Sequence, residues 1–302
     1  MVDIALLGTG GMMPMPERFL SSMMMRLNGK LILTDCGEGT QVSLKMLGWG
    51  FKAIDVICFT HYHADHISGL PGMLLAIGNS GRTEPVKLMG PTGLKRVVDG
   101  LRLIFPELPF KLEYIEIDDC SKKYEFDDII ISTCEGDHRI KCLGYRFDIP
   151  RKGKFSVEKA QALGLPVKAW SILQKGGEFE MDGKIYTGDM VLGEPRKGIS
   201  IAFSTDTRPV NALIDLAKNT DLFICEGMYG DDEKRSKALE YHHMLFSEAA
   251  KLARAAGTKE LWLTHLSPSM SEPEQYIDNA RKIFANTVVG LDRMTKRIDF
   301  EE

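Results

Sequence analysis

No stretch of this 302-residue sequence approaches the roughly 18 consecutive apolar residues that a membrane-spanning helix needs, so no span is expected. The first ten residues, Met1 to Gly10, contain Asp3 and lack a basic flank; they read as a first strand rather than a signal peptide. Cysteine is sparse. Cys36, Cys58, Cys120, Cys134, Cys142 and Cys225 are scattered without close pairing, which excludes a disulfide-stapled scaffold. Most of them sit in apolar runs, as the reduced thiols of a cytoplasmic protein would. Positive charge is not in excess either: 38 basic and 42 acidic side chains give −4, and nothing global announces nucleic acid. No repeat of 20–50 residues, low-complexity tract or linker is present, so one domain over 1–302 is expected. Hydrophobic residues make up 44 %, which excludes a disordered or fibrous chain and leaves ample material for a core.

Short apolar runs punctuated by glycine and proline alternate with helical periodicity. Ile4–Leu7, Met24–Leu27, Leu31–Thr34 and Ile54–Thr60 read as strands, and Ile67–Ile77 and Gly93–Ile104 as helices. Further strands are expected at Leu112–Ile117, Ile129–Cys134, Cys142–Phe147, Ile199–Phe203, Leu222–Cys225 and Leu261–Thr264. Pro209–Ala217, Phe246–Ala256 and Pro273–Phe284 read as helices; Ser247 is expected to cap the second and Gly257 to end it. Two strand-rich halves with intervening helices imply an α/β protein with two sheets face to face and helices outside.

Only seven histidines occur, and three fall in Thr60-His61-Tyr62-His63-Ala64-Asp65-His66, directly after an apolar strand. Residues two apart on an extended segment face one side, so His61 and His63 converge, while Asp65 and His66 follow where the chain turns. Such a dense nitrogen and oxygen donor set without thiolates suits zinc or a similar borderline metal. His138, Asp206 and His265 each lie just past the end of a predicted strand, where a sheet presents side chains at its rim. Seven donors exceed one tetrahedral ion and suit two metals about 3.5–4 Å apart, bridged by a carboxylate.

This pattern resembles the metallo-β-lactamase superfamily, which implies a four-layer αβ/βα sandwich of two mixed sheets with a dinuclear zinc site at its rim. Finer features resemble the ribonuclease Z family over nearly the whole chain. They are Leu7-Gly8-Thr9-Gly10 followed by Pro14, Arg18 and Ser21-Ser22, the run Asp35-Cys36-Gly37-Glu38-Gly39-Thr40-Gln41, and Thr205-Asp206-Thr207-Arg208-Pro209. The resemblance implies His61, His63 and His138 on one zinc, Asp65, His66 and His265 on the other, and Asp206 between them; manganese or another divalent metal is the alternative to zinc. It implies an endoribonuclease that hydrolyses a phosphodiester at the 3′ end of precursor tRNA and leaves a 3′-hydroxyl. It also implies a homodimer; the cysteine usage points to the cytoplasm, the lack of a long apolar run to no membrane partner, and no DNA partner is expected. His243 falls where that family carries a non-ligand catalytic histidine, a candidate proton donor to the leaving oxygen; His242 has no assigned role. Glu226, at the end of the Leu222 strand, is placed to orient His243, and Asp65 to orient the nucleophile.

Between Arg151 and Gly176 six basic side chains stand against Glu158 alone, a surplus of five that leaves the rest of the chain at −9. The segment from about 151 to 184 coincides with the position of the family's tRNA-clamping arm, which makes Arg151, Lys152, Lys154, Lys159 and Lys168 candidate substrate contacts. Three departures bear on tRNA: Leu165-Pro166 stands where the arm has a Gly-Pro turn, Phe19 replaces an asparagine, and Ser267-Pro268-Ser269-Met270 replaces Ser-x-Arg-Tyr. The competing readings are another hydrolase of the superfamily, acting on a small phosphodiester, lactone or thioester, and a non-catalytic RNA-binding protein.

Overall fold

The computed structural model describes residues 1–105 and 107–301. They form two compact units, one of Met1–Phe147 with Ser200–Asp299, the other of Asp148–Ile199 with the chain's end from Phe300.

Two mixed seven-stranded sheets with flanking helices make the frame. The first runs, edge to edge, Thr295–Ile298, Val2–Gly8, Ser22–Leu27, Lys30–Thr34, Ile54–Cys58, Val86–Pro91 and Leu112–Ile117. The second runs Thr287–Val289, Leu261–Thr264, Leu222–Glu226, Arg196–Ser204, Leu143–Arg151, Ile129–Glu135 and Tyr124–Phe126. Strands buried on both faces explain the near-continuous apolar runs. In Val2–Gly8, Ala5 and Leu7 join the helices' core with Leu44, Leu74 and Val98, while Ile4 and Leu6 are buried on the opposite face.

Parallel pairing fixes where the rim lies. Arg196–Ser204, Leu222–Glu226 and Leu261–Thr264 run side by side in one direction, with Ser204 against Cys225 and Glu226 against Thr264. Their carboxyl ends therefore deliver Asp206, Glu226 and His265 to one edge, the usual location of ligand sites in parallel sheets. In the first sheet, Ile54–Cys58 ends just before His61.

Several elements differ from the sequence expectation. The helix expected over Ile67–Ile77 is two, Ala64–Ile67 and Leu70–Asn79, because Pro71 has no N–H and starts a new helix in its first turn. Pro273–Phe284 shortens to a 3₁₀ turn, Pro273–Tyr276, and a helix, Asp278–Arg281. Phe246–Ala256 forms as expected and ends on Gly257 at φ 67°, but Ser247 is not its cap. Ser247 donates to Asp232 at 2.6 Å, and the carboxylate of Glu248 receives the Leu245 N–H at 3.0 Å instead. Helices Thr40–Leu47 and Arg235–Tyr241 and the strand Val86–Pro91 were not anticipated. No helix among the described residues is long and apolar enough to cross a membrane, and the six cysteines are free thiols.

The second unit is more than a charged loop. Helices Val157–Ala162 and Val167–Gln174 enclose a small core of Ala160, Leu165, Ala169, Leu173, Tyr186 and Val191. Ser156 caps the first, its hydroxyl oxygen receiving the Lys159 N–H at 3.2 Å. A hairpin, Phe179–Met181 with Lys184–Tyr186, turns through Asp182 and Gly183, both at positive φ as a tight two-residue turn requires.

Candidate metal centre

All seven candidate ligands meet at the rim. Donor atoms of His61, His63, His138 and Asp206 lie within 4.8 Å of one another, as do those of Asp65, His66, Asp206 and His265. Asp206 belongs to both groups through different oxygens. Its Oδ2 lies 3.7 Å from His61 Nε2 and 3.8 Å from His138 Nε2, while its Oδ1 lies 3.1 Å from both His66 Nε2 and His265 Nε2. His63 turns Nδ1 inward, 3.0 Å from His61 Nε2 and 3.2 Å from His138 Nε2; Asp65 Oδ2 is 3.6 Å from His66 Nε2. Donors about 2.0–2.1 Å from a tetrahedral ion stand about 3.3 Å apart, the separation seen here. His66 Nε2, His265 Nε2 and Asp206 Oδ1 are buried with no hydrogen-bond partner. Leaving three such atoms bare costs about 1–3 kcal/mol each, which a divalent cation relieves.

Four imidazoles are aimed by a bond at the other ring nitrogen. His61 Nδ1–H donates to Thr60 Oγ1 (3.1 Å), His66 Nδ1–H to Asp35 Oδ2 (2.8 Å), His265 Nδ1–H to Ser21 Oγ (2.7 Å) and His138 Nδ1–H to the carbonyl of His242 (3.3 Å). Each fixes the tautomer that presents Nε2 to a cation. Asp35 also accepts the Thr60 N–H and hydroxyl, both at 2.8 Å, joining the supports of His61 and His66. Asp65 is oriented by the Met12 N–H at 2.7 Å. Asp35, Asp206 and His265 sit at φ 57°, 20° and 54°, a left-handed region costly for non-glycine residues and held here at three strand ends. Gly11 has no alternative, since a Cβ there would lie 2.5 Å from His265 Nε2.

Charge is arranged to match. Burial pushes the His61, His63 and His138 imidazolium forms below their ordinary range, leaving neutral donors. Burial of Asp206 opposes its ionisation, but His265, His66 and His61 around it outweigh this and hold the carboxyl well below the carboxylate range. At His66 burial is outweighed by Asp206 and Asp35, which raise its pKa well above the ordinary range.

Beside the ligands stands His243, its ring stacked 5.5 Å from His265. Its Nδ1–H donates to Glu226 Oε2 at 3.2 Å, which leaves Nε2 free. Glu226 is fully buried and held by the Thr207 N–H (2.5 Å) and the Met244 N–H (3.0 Å). Burial alone would lower the His243 pKa; the carboxylate of Glu226 overcomes it and pushes the imidazolium up to about 9. Arg208 secures the same segment, donating to the His243 carbonyl and bridging to Glu248 at 2.6 and 2.9 Å. The cavity over the centre, about 580 Å³, is bordered by Arg139, Lys237, Tyr229 and Ser269 besides the ligands.

The sequence pointed to every donor and to the Glu226–His243 pair, and passed over the residues that aim the rings. Asp35 and Ser21 fall within the Asp35–Gln41 and Ser21-Ser22 motifs, which by themselves assign them no role, and His242 serves through its carbonyl, its own ring bonded to Asp137 at 3.1 Å. Where Ser-x-Arg-Tyr was missing, Arg18 braces the loop by donating to the carbonyls of Ser267 (3.4 Å) and Met270 (3.1 Å). Among the arm candidates, Lys152, Lys154 and Lys168 are exposed. Arg151 instead packs 5.0 Å over Phe300 and donates to the Glu301 carbonyl, and Lys159 donates to the Leu192 carbonyl at 2.6 Å. Acids gather after Gly176, so 148–199 carries nine basic and seven acidic side chains, a milder surplus than the first part implied.

A family model described as anti-Pycsar protein Apyc1 matches residues 2–98. Among solved structures, the short form of human tRNase Z superposes with a TM-score of 0.70 at 24 % identity, covering 99 % of this chain and 100 % of that one. The metallo-β-lactamase-fold protein YhfI from Bacillus subtilis gives 0.69 at 18 %, covering 98 % of each. These likenesses establish the sandwich fold. Ribonuclease Z of Clostridium acetobutylicum is 54 % identical over 307 residues, 100 % of this chain and 99 % of that protein. Ribonuclease Z of Lachnospira eligens is 53 % identical over 302 residues, again 100 % and 99 %. With about half its residues shared from end to end with such relatives, the chain belongs to the ribonuclease Z family.

Proposed function

We propose that this chain is a divalent-metal-dependent endoribonuclease that removes the 3′ trailer from precursor tRNA and leaves a 3′-hydroxyl on the tRNA. Carrying this reading is the complete double donor group, shared through Asp206, in a chain about half identical to ribonuclease Z relatives over its full length. His61, His63 and His138 would hold one zinc and Asp65, His66 and His265 the other, since neutral imidazoles with few carboxylates suit that metal. When bound, such cations supply positive charge for the phosphate oxygens and make hydroxide accessible near neutral pH.

The chain's own residues do the rest. Asp65, held by the Met12 N–H, orients the attacking water. The water loses one proton to solvent, its oxygen bonds to phosphorus and the P–O3′ bond breaks. Its electron pair stays on the 3′ oxygen, which takes a proton from His243 Nε2, and the trailer keeps the 5′ phosphate. Glu226 keeps His243 in the tautomer and charge state for that donation. Lys152, Lys154 and Lys168 of the second unit would meet tRNA phosphates, and the enzyme would work as a homodimer. A small phosphodiester also fits a cavity of about 580 Å³, so substrate choice is the test. Purified protein with trailer-bearing precursor tRNA is expected to give one cut with a 3′-hydroxyl end. Intact RNA alongside rapid hydrolysis of bis(p-nitrophenyl) phosphate would overturn the assignment.

A further inference from the structure

A second cavity of about 280 Å³ opens beside the metal centre. Tyr229, Lys237, Ser267 and Ser269 border both cavities, so the two adjoin. Its volume is near the roughly 300 Å³ lower bound of small-molecule pockets, room for one nucleoside and not for a strand. We propose that it seats the nucleoside bearing the leaving 3′ oxygen, the last of the mature tRNA, with its base on Tyr276 and its 5′ phosphate at Lys237. This rests on the endoribonuclease reading above.

The platform is built to hold still. Tyr276 lies directly on Gly230, where a Cβ would come within 2.5 Å of its Cβ and 2.7 Å of its Cγ, so only glycine lets the tyrosine settle there. The Gly230 carbonyl in turn accepts Asn279 Nδ2–H at 2.8 Å. Buried Met228 and Met270 line the cavity and supply an apolar, polarisable surface for a base. Lys234 and Lys237 stand exposed around it and offer ammonium groups for phosphate. Among the lining residues Asp231 is the acid, and its Oδ1 is engaged by the Glu233 N–H at 3.0 Å.

Position relative to the proton donor decides which nucleoside. His243 gives its proton to the leaving 3′ oxygen and therefore stands on the leaving side of phosphorus. Tyr229 is a neighbouring ring, 6.5 Å away, and borders the second cavity as well as the first. A strand leaving the metal centre on that side carries the 3′ oxygen, whereas the trailer departs on the other.

The test is a double cycle on single-turnover kcat/KM, using the full chain with metal and precursor tRNA made abasic at one position. Tyr276→Ala is expected to slow cleavage of ordinary precursor tRNA roughly 5- to 150-fold, the range for one base–aromatic stack. Tyr276→Phe should restore the rate. With the last tRNA nucleotide abasic, the native enzyme and Tyr276→Ala should cut at equal rates; with the first trailer nucleotide abasic, the Tyr276→Ala deficit should persist in full. A deficit that survives removal of the last tRNA base, or vanishes with the trailer base, would overturn the assignment. If the native enzyme cuts precursor tRNA and Tyr276→Ala cuts equally well, this inference alone fails; if the native enzyme leaves it uncut, the endoribonuclease reading fails first.

Discussion

The sheet rim and the Asp148–Ile199 unit use opposite means for the work proposed for them. At the rim His61, His66, Asp206 and His265 are buried, and the Nδ1 of each of the three imidazoles is held by a fixed partner. In the inserted unit the lysines offered to a substrate are exposed, and burial is left to Tyr186, Leu173 and a few neighbours. Buried polar networks act as units, because removing one member leaves its partners desolvated and unpaired. Exposed charges act nearly independently and are screened by salt. The same kind of substitution should therefore have very different consequences in the two places.

Asp206→Ala should have the largest effect, since it removes the carboxylate that serves both donor groups, one oxygen in each, and leaves His66 Nε2 and His265 Nε2 facing no carboxylate at 3.1 Å. Elemental analysis is expected to find the metal lost, and turnover to fall to background. An undiminished metal content in Asp206→Ala would break the contrast, because the rim would then be as divisible as the arm.

His243→Ala comes next, for it removes the proposed proton donor and none of the proposed ligands. Bound metal should be unchanged while turnover falls by roughly 10²–10⁴. Glu226→Gln, which keeps the shape of the partner and drops its charge, should fall less, about 10–100-fold. Loss of metal in His243→Ala would show that the histidine belongs to the donor set and sharpen the boundary between holding metal and using it.

How much of this could be read from the chain follows the same division. His61, His63, Asp65 and His66 are legible because a strand end and a six-residue spacing put them together, and His138, Asp206 and His265 because each closes an apolar run. Ser21 on His265 and Asp35 on His66 are separated from their partners by 244 and 31 residues, and no local periodicity records a contact made only when the sheet closes. The broken helix at Pro71 was legible in principle, since proline marks a first turn as readily as a kink. Charge counting saw the lysines before Gly176 and missed the small core beneath them, because its apolar residues sit on two short helices and a hairpin.

The smallest expected effects belong to the exposed lysines, and they test the other side of the contrast. Lys152→Ala, Lys154→Ala and Lys168→Ala should each weaken precursor tRNA binding modestly, lower the slope of log affinity against log salt by about 0.7–0.9 per lost phosphate contact, and leave kcat unchanged. Combined, the three losses should add, as independent sites do. Arg151→Ala is the internal control. Its guanidinium is engaged by Phe300 and the Glu301 carbonyl, so its loss should lower stability of the unit more than the salt slope. A triple lysine variant with the native slope would remove the arm from substrate binding and leave the metal centre as the one seat of function; a loss far exceeding the sum would mean that these exposed charges, like the rim, act as one device.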